Sequence, residues 1–470
     1  MTQDERLIQI TPTQRQLKHQ QLEFYAFIHF TVNAFTDREW GDGTESPSVF
    51  NPVKLNAEQW TEAIAAAGMK GLILTCKHHD GFCLWPSRYT KHSVASSPYK
   101  NGAGDVVKEA ADACRKYGLA FGIYLSPWDR NCPLYGTGKE YDDYFIAQLT
   151  ELLTGYGPIF SVWFDGACGE GPNGRKQIYD WPRYYDTVRK LQPEACISVC
   201  GPDVRWCGNE GGHTRESEWS VVPARLSKAE AIKDKSQQKD DPAFRLQPIR
   251  SSDQDLGSRE KLRDEPDLIW YPAEVNTSIR PGWFWHASEN DKVKSLAELT
   301  DIYFRSVGAN ATFLLNIPPT NEGLLHKNDV RRLIELGAYL KNAFANEITQ
   351  QAELTADSAA EGCDIHNALT DGYDTCYVAA KATAEICITL PKEETLCYLT
   401  LKENIRMSQR IERFTVDIGD ENGFQEAFPG TVVGYQRIVP LYGVRAKRLR
   451  IRITDARVAP TLARIALYKA

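Results

Sequence analysis

Residues able to do chemistry recur at the ends of apolar runs: Phe27-Ile28-His29-Phe30, Lys77-His78-His79-Asp80-Gly81-Phe82, Ser126-Pro127-Trp128-Asp129, Val162-Trp163-Phe164-Asp165-Gly166, Ala273-Glu274-Val275-Asn276 and Leu315-Asn316-Ile317. Chance would scatter histidines, carboxylates and aromatic residues over both ends. Asp165 is the most informative of them. It follows the apolar run Ile159–Phe164 and precedes a glycine. A carboxylate at a buried strand end is costly unless it is paired or used. Hydrolysis of a glycosidic bond uses two carboxyl groups, one of them a nucleophile in retaining enzymes. Candidates for the second are Glu210, Glu216, Glu218 and Glu274. Glu210 lies in the glycine-rich aromatic loop Arg205-Trp206-Cys207-Gly208-Asn209-Glu210-Gly211-Gly212, which can carry a mobile general acid. Glu216 and Glu218 read as a polar surface segment or cap. Spacing alone does not choose between Glu210 and Glu274.

His78 and His79 invite a metal reading. Adjacent histidines on an extended segment point to opposite faces, however, and one ion would need further ligands returning at matching distance. Hydrogen bonding to a polar ligand is the preferred reading, ahead of a structural histidine capping a strand, and no metal or cofactor is expected. Trp40, Trp85, Trp128, Trp163, Trp283 and Trp285 could be barrel core. Tryptophans mixed with histidines and carboxylates are also what a sugar requires, a flat apolar face beside forked hydrogen bonding.

The elements that must position these residues alternate. Apolar, strand-like runs occur at Glu23–Phe30, Gly71–Lys77, Ala120–Ser126, Ile159–Asp165, Cys196–Cys200, Leu268–Val275 and Ala311–Ile317. Between or after them lie helical patterns at Ala57–Met69, Asp105–Tyr117, Asp142–Thr154, Tyr184–Leu191, Leu296–Val307 and Asn328–Phe344. Such alternation predicts a parallel sheet covered by helices, here an α/β fold of the (β/α)8-barrel type over residues 1–345. In such a barrel the active site lies at the carboxyl ends of the strands. One strand is missing from this count, and the polar segment 216–266 is where it is expected. Beyond residue 345 the pattern changes, and all 11 tryptophans lie before that point. Short runs at Tyr377–Ala380, Glu385–Leu390, Cys397–Leu401, Arg413–Ile418, Arg448–Ile453 and Leu462–Tyr468 predict an all-β sandwich over residues 346–470. Without a tryptophan to stack on a sugar, this part is expected to brace the barrel rather than bind glycan independently.

Composition narrows the function classes. The 470 residues are 42% hydrophobic and 25% charged, with a net charge of −7 and no long run of one sign. Nucleic acid is therefore not an expected partner, and no apolar run is long enough to span a membrane. The 12 cysteines form no C-x-x-C pair, which argues against structural zinc; Cys76, Cys196 and Cys200 read as buried free thiols. The polar start Met1–Thr13 shows no signal peptide. The expected location is periplasmic or extracellular if a signal was removed, and otherwise cytoplasmic. Oligomeric state is left open.

Taken in order, Phe27-Ile28-His29, Glu39-Trp40, His78-His79-Asp80-Gly81-Phe82, Trp163-Phe164-Asp165-Gly166 and Leu314-Leu315-Asn316-Ile317 resemble the α-L-fucosidases of glycoside hydrolase family 29. The resemblance covers essentially the whole barrel, and the following β-sandwich fits the same architecture. It implies a retaining mechanism with Asp165 as nucleophile, and fucose surrounded by His29, Glu39, Trp40, His78, His79 and Trp163. Trp283 is placed with them as a sugar-facing aromatic, and Arg205 looks like the family's arginine after strand five. The stretch Arg205–Glu210 followed by Glu216–Val221 looks like the branch that cleaves α-1,3- and α-1,4-linked fucose from branched, Lewis-type glycans. In that branch the residue matching Glu210 is the acid/base, with Glu274 held in reserve. The implied partners are fucosylated oligosaccharides or glycoconjugates. Two alternatives stand beside this reading: a retaining hydrolase of another α-linked sugar, and a fucose-binding lectin on an inactive barrel.

Overall fold

The structure is a computed structural model describing residues 2–245, 247–420 and 423–470. Eight parallel strands form its first sheet: β1 (Phe24–Ile28), β2 (Gly71–Lys77), β3 (Ala120–Leu125), β4 (Ser161–Phe164), β5 (Cys196–Val199), β6 (Arg205–Trp206), β7 (Ala273–Ser278) and β8 (Ala311–Asn316). They are hydrogen-bonded in the order β5-β4-β3-β2-β1-β8-β7-β6. A parallel bridge between Ser198 and Val204 joins the two ends, so the sheet closes on itself. Almost every residue of these strands is buried, as expected for a parallel sheet covered on its outer face and packed within.

The covering helices carry clear start and stop signals. Asp105 accepts a hydrogen bond from the Lys108 amide at the start of Val106–Tyr117, and Gly118 ends that helix at φ 68°. Ser295 and Glu298 form a reciprocal capping box at the start of Leu296–Ser306.

Two sequence expectations are corrected here. The missing strand is not in the segment 216–266 but is Arg205–Trp206, whose two residues are too short to show any periodicity. The expected strand Leu268–Val275 is two elements. Leu268–Trp270 pairs antiparallel with Val221–Pro223, while Ala273–Ser278 is β7. Pro272 stands between them and has no N–H to continue a ladder.

The remaining chain is antiparallel. Its main sheet has six strands built around Ala384–Lys402 and Arg437–Ala456. The expected pieces Glu385–Leu390 and Cys397–Leu401 are one strand, bent by register shifts between Thr389 and Glu394 and between Leu396 and Tyr398. On one edge its first half pairs with Glu353–Ala356 and its second half with Arg464–Lys469. Both halves feed one core containing Ile386, Ile388, Leu399 and Leu401. Two smaller apolar clusters join the barrel to this part. Leu7, Leu17, Val221 and Trp270 meet Ile405 and Tyr435 in one, and Trp219 and Tyr271 meet Val432 in the other.

Candidate active site

Alternation along the barrel strands stacks polar side chains in layers. Low in the barrel, the Tyr25 hydroxyl donates to Glu274 Oε2 at 2.5 Å and lies 3.0 Å from Thr312 Oγ1. Phe27, Trp163 and Asn276 come next, two residues further along their strands. Two residues further still come His29 and Asp165, each one residue beyond its strand, β1 and β4. All five line one pocket with Glu39, Trp40, His78, His79, Trp206, Glu210 and Trp283.

Asp165 stands one residue beyond β4. Its Oδ2 accepts a hydrogen bond from the Tyr124 hydroxyl at 2.8 Å, and its Oδ1 accepts one from the Ala167 amide at 2.9 Å. The Tyr124 ring is stacked on Trp163, with centroids 5.4 Å apart. Gly166 is required beside it, because a Cβ there would collide with Ser236. Glu210 reaches the same pocket from the loop after β6. Trp283 Nε1 donates to its Oε2 at 2.8 Å. Burial, and then the nearby Asp165 carboxylate, push its pKa up to about 7 against the Trp283 hydrogen bond. Two carboxyl groups therefore face one pocket, one braced as a hydrogen-bond acceptor and the other biased toward its protonated form.

The histidines form the pocket's wall. His29 Nδ1 lies 2.8 Å from Asn316 Oδ1, and His79 Nδ1 lies 2.7 Å from Ser126 Oγ, which itself donates to the Trp128 carbonyl. Burial lowers the pKa of His29 and of His79 to about 4, and burial with the neighbouring His79 and His29 holds that of His78 well below the usual histidine range. All three are neutral near pH 7, so each ring can offer one donor or one acceptor to a ligand. The expectation that His78 and His79 diverge is corrected. β2 ends at Lys77, the chain turns, and the two rings lie with centroids 4.0 Å apart, both on the pocket. His78, His79 and Asp165 each place one ligand atom within 4.8 Å of the others. The spacing argument against a shared cation therefore falls, and the same trio suits a cluster of sugar hydroxyls equally well.

Glu39 is a junction. Its Oε2 accepts from the Trp283 amide at 2.9 Å and faces Arg245 at 3.0 Å; its Oε1 accepts from the Phe284 amide at 3.1 Å and lies 2.8 Å from His286 Nε2. Burial opposes its ionisation, but His286, Arg245 and the two amides outweigh burial and hold its pKa below the usual carboxylate range. These contacts fix the loop that carries Trp283. Trp40 meets His79 and Trp128 edge-on.

Two expected site residues are elsewhere. Arg205 is buried outside the pocket and donates to Glu218 Oε1 at 2.5 Å. Glu274 lies beneath Trp163, whose Nε1 donates to its Oε1 at 2.8 Å, and it does not line the pocket. Glu218 is corrected as well: it is fully buried between Arg205 and Arg215 rather than on a polar surface. Sequence reading missed Trp206, Asn276 and Val199 as pocket residues, and Tyr124 as the donor to Asp165. Val199 holds φ 67°, a costly backbone for a β-branched residue, beside a carbonyl that accepts from the Tyr271 hydroxyl at 3.3 Å. Asn276 could have been found by counting two residues on from Glu274; Tyr124 and Val199 gave no signal.

A closed parallel barrel with paired carboxylates in an aromatic and histidine-lined pocket at its strand ends defines a glycoside hydrolase. Comparison with known proteins makes this particular. The family model for α-L-fucosidase matches residues 12–343. The α-L-fucosidase 1 of Arabidopsis thaliana is 38% identical over 467 residues, covering 97% of this chain and 87% of the plant protein. A putative α-L-fucosidase structure from Bacteroides ovatus is 44% identical with a TM-score of 0.86, covering 100% of this chain and 76% of that one. A family 29 fucosidase of Ruminococcus gnavus, solved with fucose, is 30% identical with a TM-score of 0.84 over 98% of this chain and 95% of its own. The chain belongs to the α-L-fucosidase family, glycoside hydrolase family 29.

Proposed function

We propose that the chain is a retaining exo-α-L-fucosidase that removes terminal α-1,3- and α-1,4-linked fucose from branched, Lewis-type glycans. Asp165 attacks the anomeric carbon as Glu210 donates its proton to the departing glycosidic oxygen, leaving a fucosyl ester on Asp165. Glu210, now ionised, takes a proton from water. That water attacks the same carbon, expels Asp165 and restores the proton to Glu210. The two carboxyl groups are expected about 5–5.5 Å apart during this cycle. His29, His78 and His79, neutral at working pH, hold the sugar hydroxyls, with Trp40, Trp163 and Trp283 against its apolar face. No resident cofactor takes part in these steps. In this reading residues 1–345 carry the chemistry and residues 346–470 brace it.

The observation that carries the reading is the contrast between the two carboxyl groups. Asp165 accepts two hydrogen bonds, while the buried Glu210 has its pKa raised to about 7 in the same pocket. A fucose-binding lectin needs neither. Glu274, enclosed below Trp163, is the weaker acid/base candidate. Support for the linkage comes from the loop carrying Glu210, which resembles the α-1,3/4 branch.

The test is fucose release from a Lewis trisaccharide and from 2′-fucosyllactose by wild type and Asp165→Asn. Release from the first substrate only, falling about 1,000-fold or more in the variant, is expected. Equal cleavage of both substrates overturns the linkage. Full activity in the variant overturns the assignment of the nucleophile.

A further inference from the structure

A second cavity shares Trp206 with the pocket and is lined by a cluster of cations. Arg205, Arg215, Arg225, Lys228, Lys235 and Arg250 all face it. Four of these six cations are paired with carboxylates. Glu218 lies between Arg205 and Arg215, at 2.5 and 3.1 Å. Arg225 pairs with Glu265 at 2.7 Å, and Lys235 with Asp253 at 3.6 Å. Among the described residues Lys228 and Arg250 have no carboxylate partner. Arg205 is 5% exposed, and its Nε and Nη1 are buried with no hydrogen-bond partner among the described residues. Those two donors are closed off from the cavity, so the cations open to an oxyanion are the exposed Lys228 and Arg250.

The location suggests where the anion comes from. Trp206 lines both spaces, and Phe244, which lines the second, is stacked on it with centroids 6.5 Å apart and planes 14° from parallel. A branched glycan with its fucose in the pocket can therefore present a neighbouring branch to the cationic cavity. We propose that this cavity takes an anionic substituent of the same glycan, a sulfate ester or a sugar carboxylate, making charged branched glycans preferred substrates. The inference rests on the fucosidase reading given above. It adds no step to the chemistry: the cavity binds the leaving portion of the substrate and holds it.

The experiment compares kcat/KM for three substrates: a neutral Lewis trisaccharide, the same trisaccharide sulfated on galactose, and the same trisaccharide bearing a terminal carboxylated sugar. Wild type is measured beside the double variant Lys228→Ala/Arg250→Ala, whose two side chains are exposed and whose loss leaves the buried Arg205–Glu218 pair intact. At low salt one anionic form is expected to exceed the neutral one by roughly tenfold. That ratio should shrink as salt rises and fall toward unity in the double variant. Which form gains distinguishes sulfate from carboxylate. A neutral substrate cleaved as well as both anionic ones, or an anionic advantage unchanged in the double variant, overturns the inference while leaving the fucosidase reading standing. No release by wild type from any of the three overturns that reading, and this inference with it. The neutral trisaccharide also reports whether the double variant is folded.

Discussion

Two carboxyl groups face one pocket, and their surroundings differ. Asp165 is legible in sequence because an apolar run ending in Asp-Gly marks the end of a buried strand, although the carboxyl itself is part-exposed at the pocket. Glu210 is legible only as one of several acids. What separates it from Glu218 is whether an arginine neutralises it, and that depends on contacts across the fold. The raised pKa of Glu210 predicts the basic limb of the rate profile. The acid form is populated below about pH 7 and is lost as pH rises through that value, so kcat/KM on a natural glycan should decline there. Glu210→Gln should remove this limb and lower turnover of the trisaccharide by about 100-fold or more. It should spare an aryl fucoside whose leaving group needs no proton. Measured pH profiles on the two substrates check this; an unchanged limb in the variant would transfer the role to another group.

At the scale of elements, the neighbouring strands β6 and β7 were the hard ones to read. Periodicity needs length, and β6 has two residues. The ribbon Leu268–Trp270 continues into β7 with no polar break, so only Pro272 marks the boundary. Residues such as Asn276 and Trp206 reach the pocket through strand register, which a single sequence shows only after the strands are aligned. Trp163 is supported from below by Glu274, a fully buried carboxyl whose pKa burial raises from 4.5 to about 7, against the hydrogen bonds from Trp163 and Tyr25. The sign of its effect on stability follows. The folded state holds a proton that the unfolded chain releases near pH 4.5, so this contribution is complete at low pH and is lost as pH rises toward 7. Glu274→Gln should flatten the fall in unfolding free energy between those values by on the order of 3 kcal/mol. Denaturant titrations at pH 4.5 and 8 measure it, and an unaltered slope would contradict this account of Trp163's support.

For the whole molecule, the change of composition near residue 346 announced two architectures but not how tightly they join. Asn310, at the start of β8 with φ 64°, accepts from the Tyr435 amide at 2.7 Å through Oδ1 and donates through Nδ2 to the Glu218 carbonyl at 2.7 Å. Gly434 must be glycine there, because a Cβ would run into the Asn310 side chain. Arg457 donates to the Gly257 carbonyl at 2.7 Å and lies over the Trp219 ring at 4.3 Å. These hydrogen bonds tie the antiparallel part to the segment following the Glu210 loop. These contacts predict one cooperative thermal transition for the full chain. A fragment ending at residue 345 should lose soluble, active enzyme, because its Val221, Trp219 and Trp270 surfaces would be uncovered. Calorimetry of the full chain and assay of the fragment test this. Two separate transitions with an active fragment would refute a bracing role.

The central claim is a covalent fucosyl ester on Asp165, and a mechanism-based label tests it most directly. Incubation with 2-deoxy-2-fluoro-α-L-fucosyl fluoride slows both chemical steps, while the fluoride leaving group favours the first. Peptide mass spectrometry should then find one added fluorofucosyl group on the peptide containing Asp165, at that residue. Turnover of a natural substrate that leaves no such adduct and yields β-L-fucose as its first product would contradict the account.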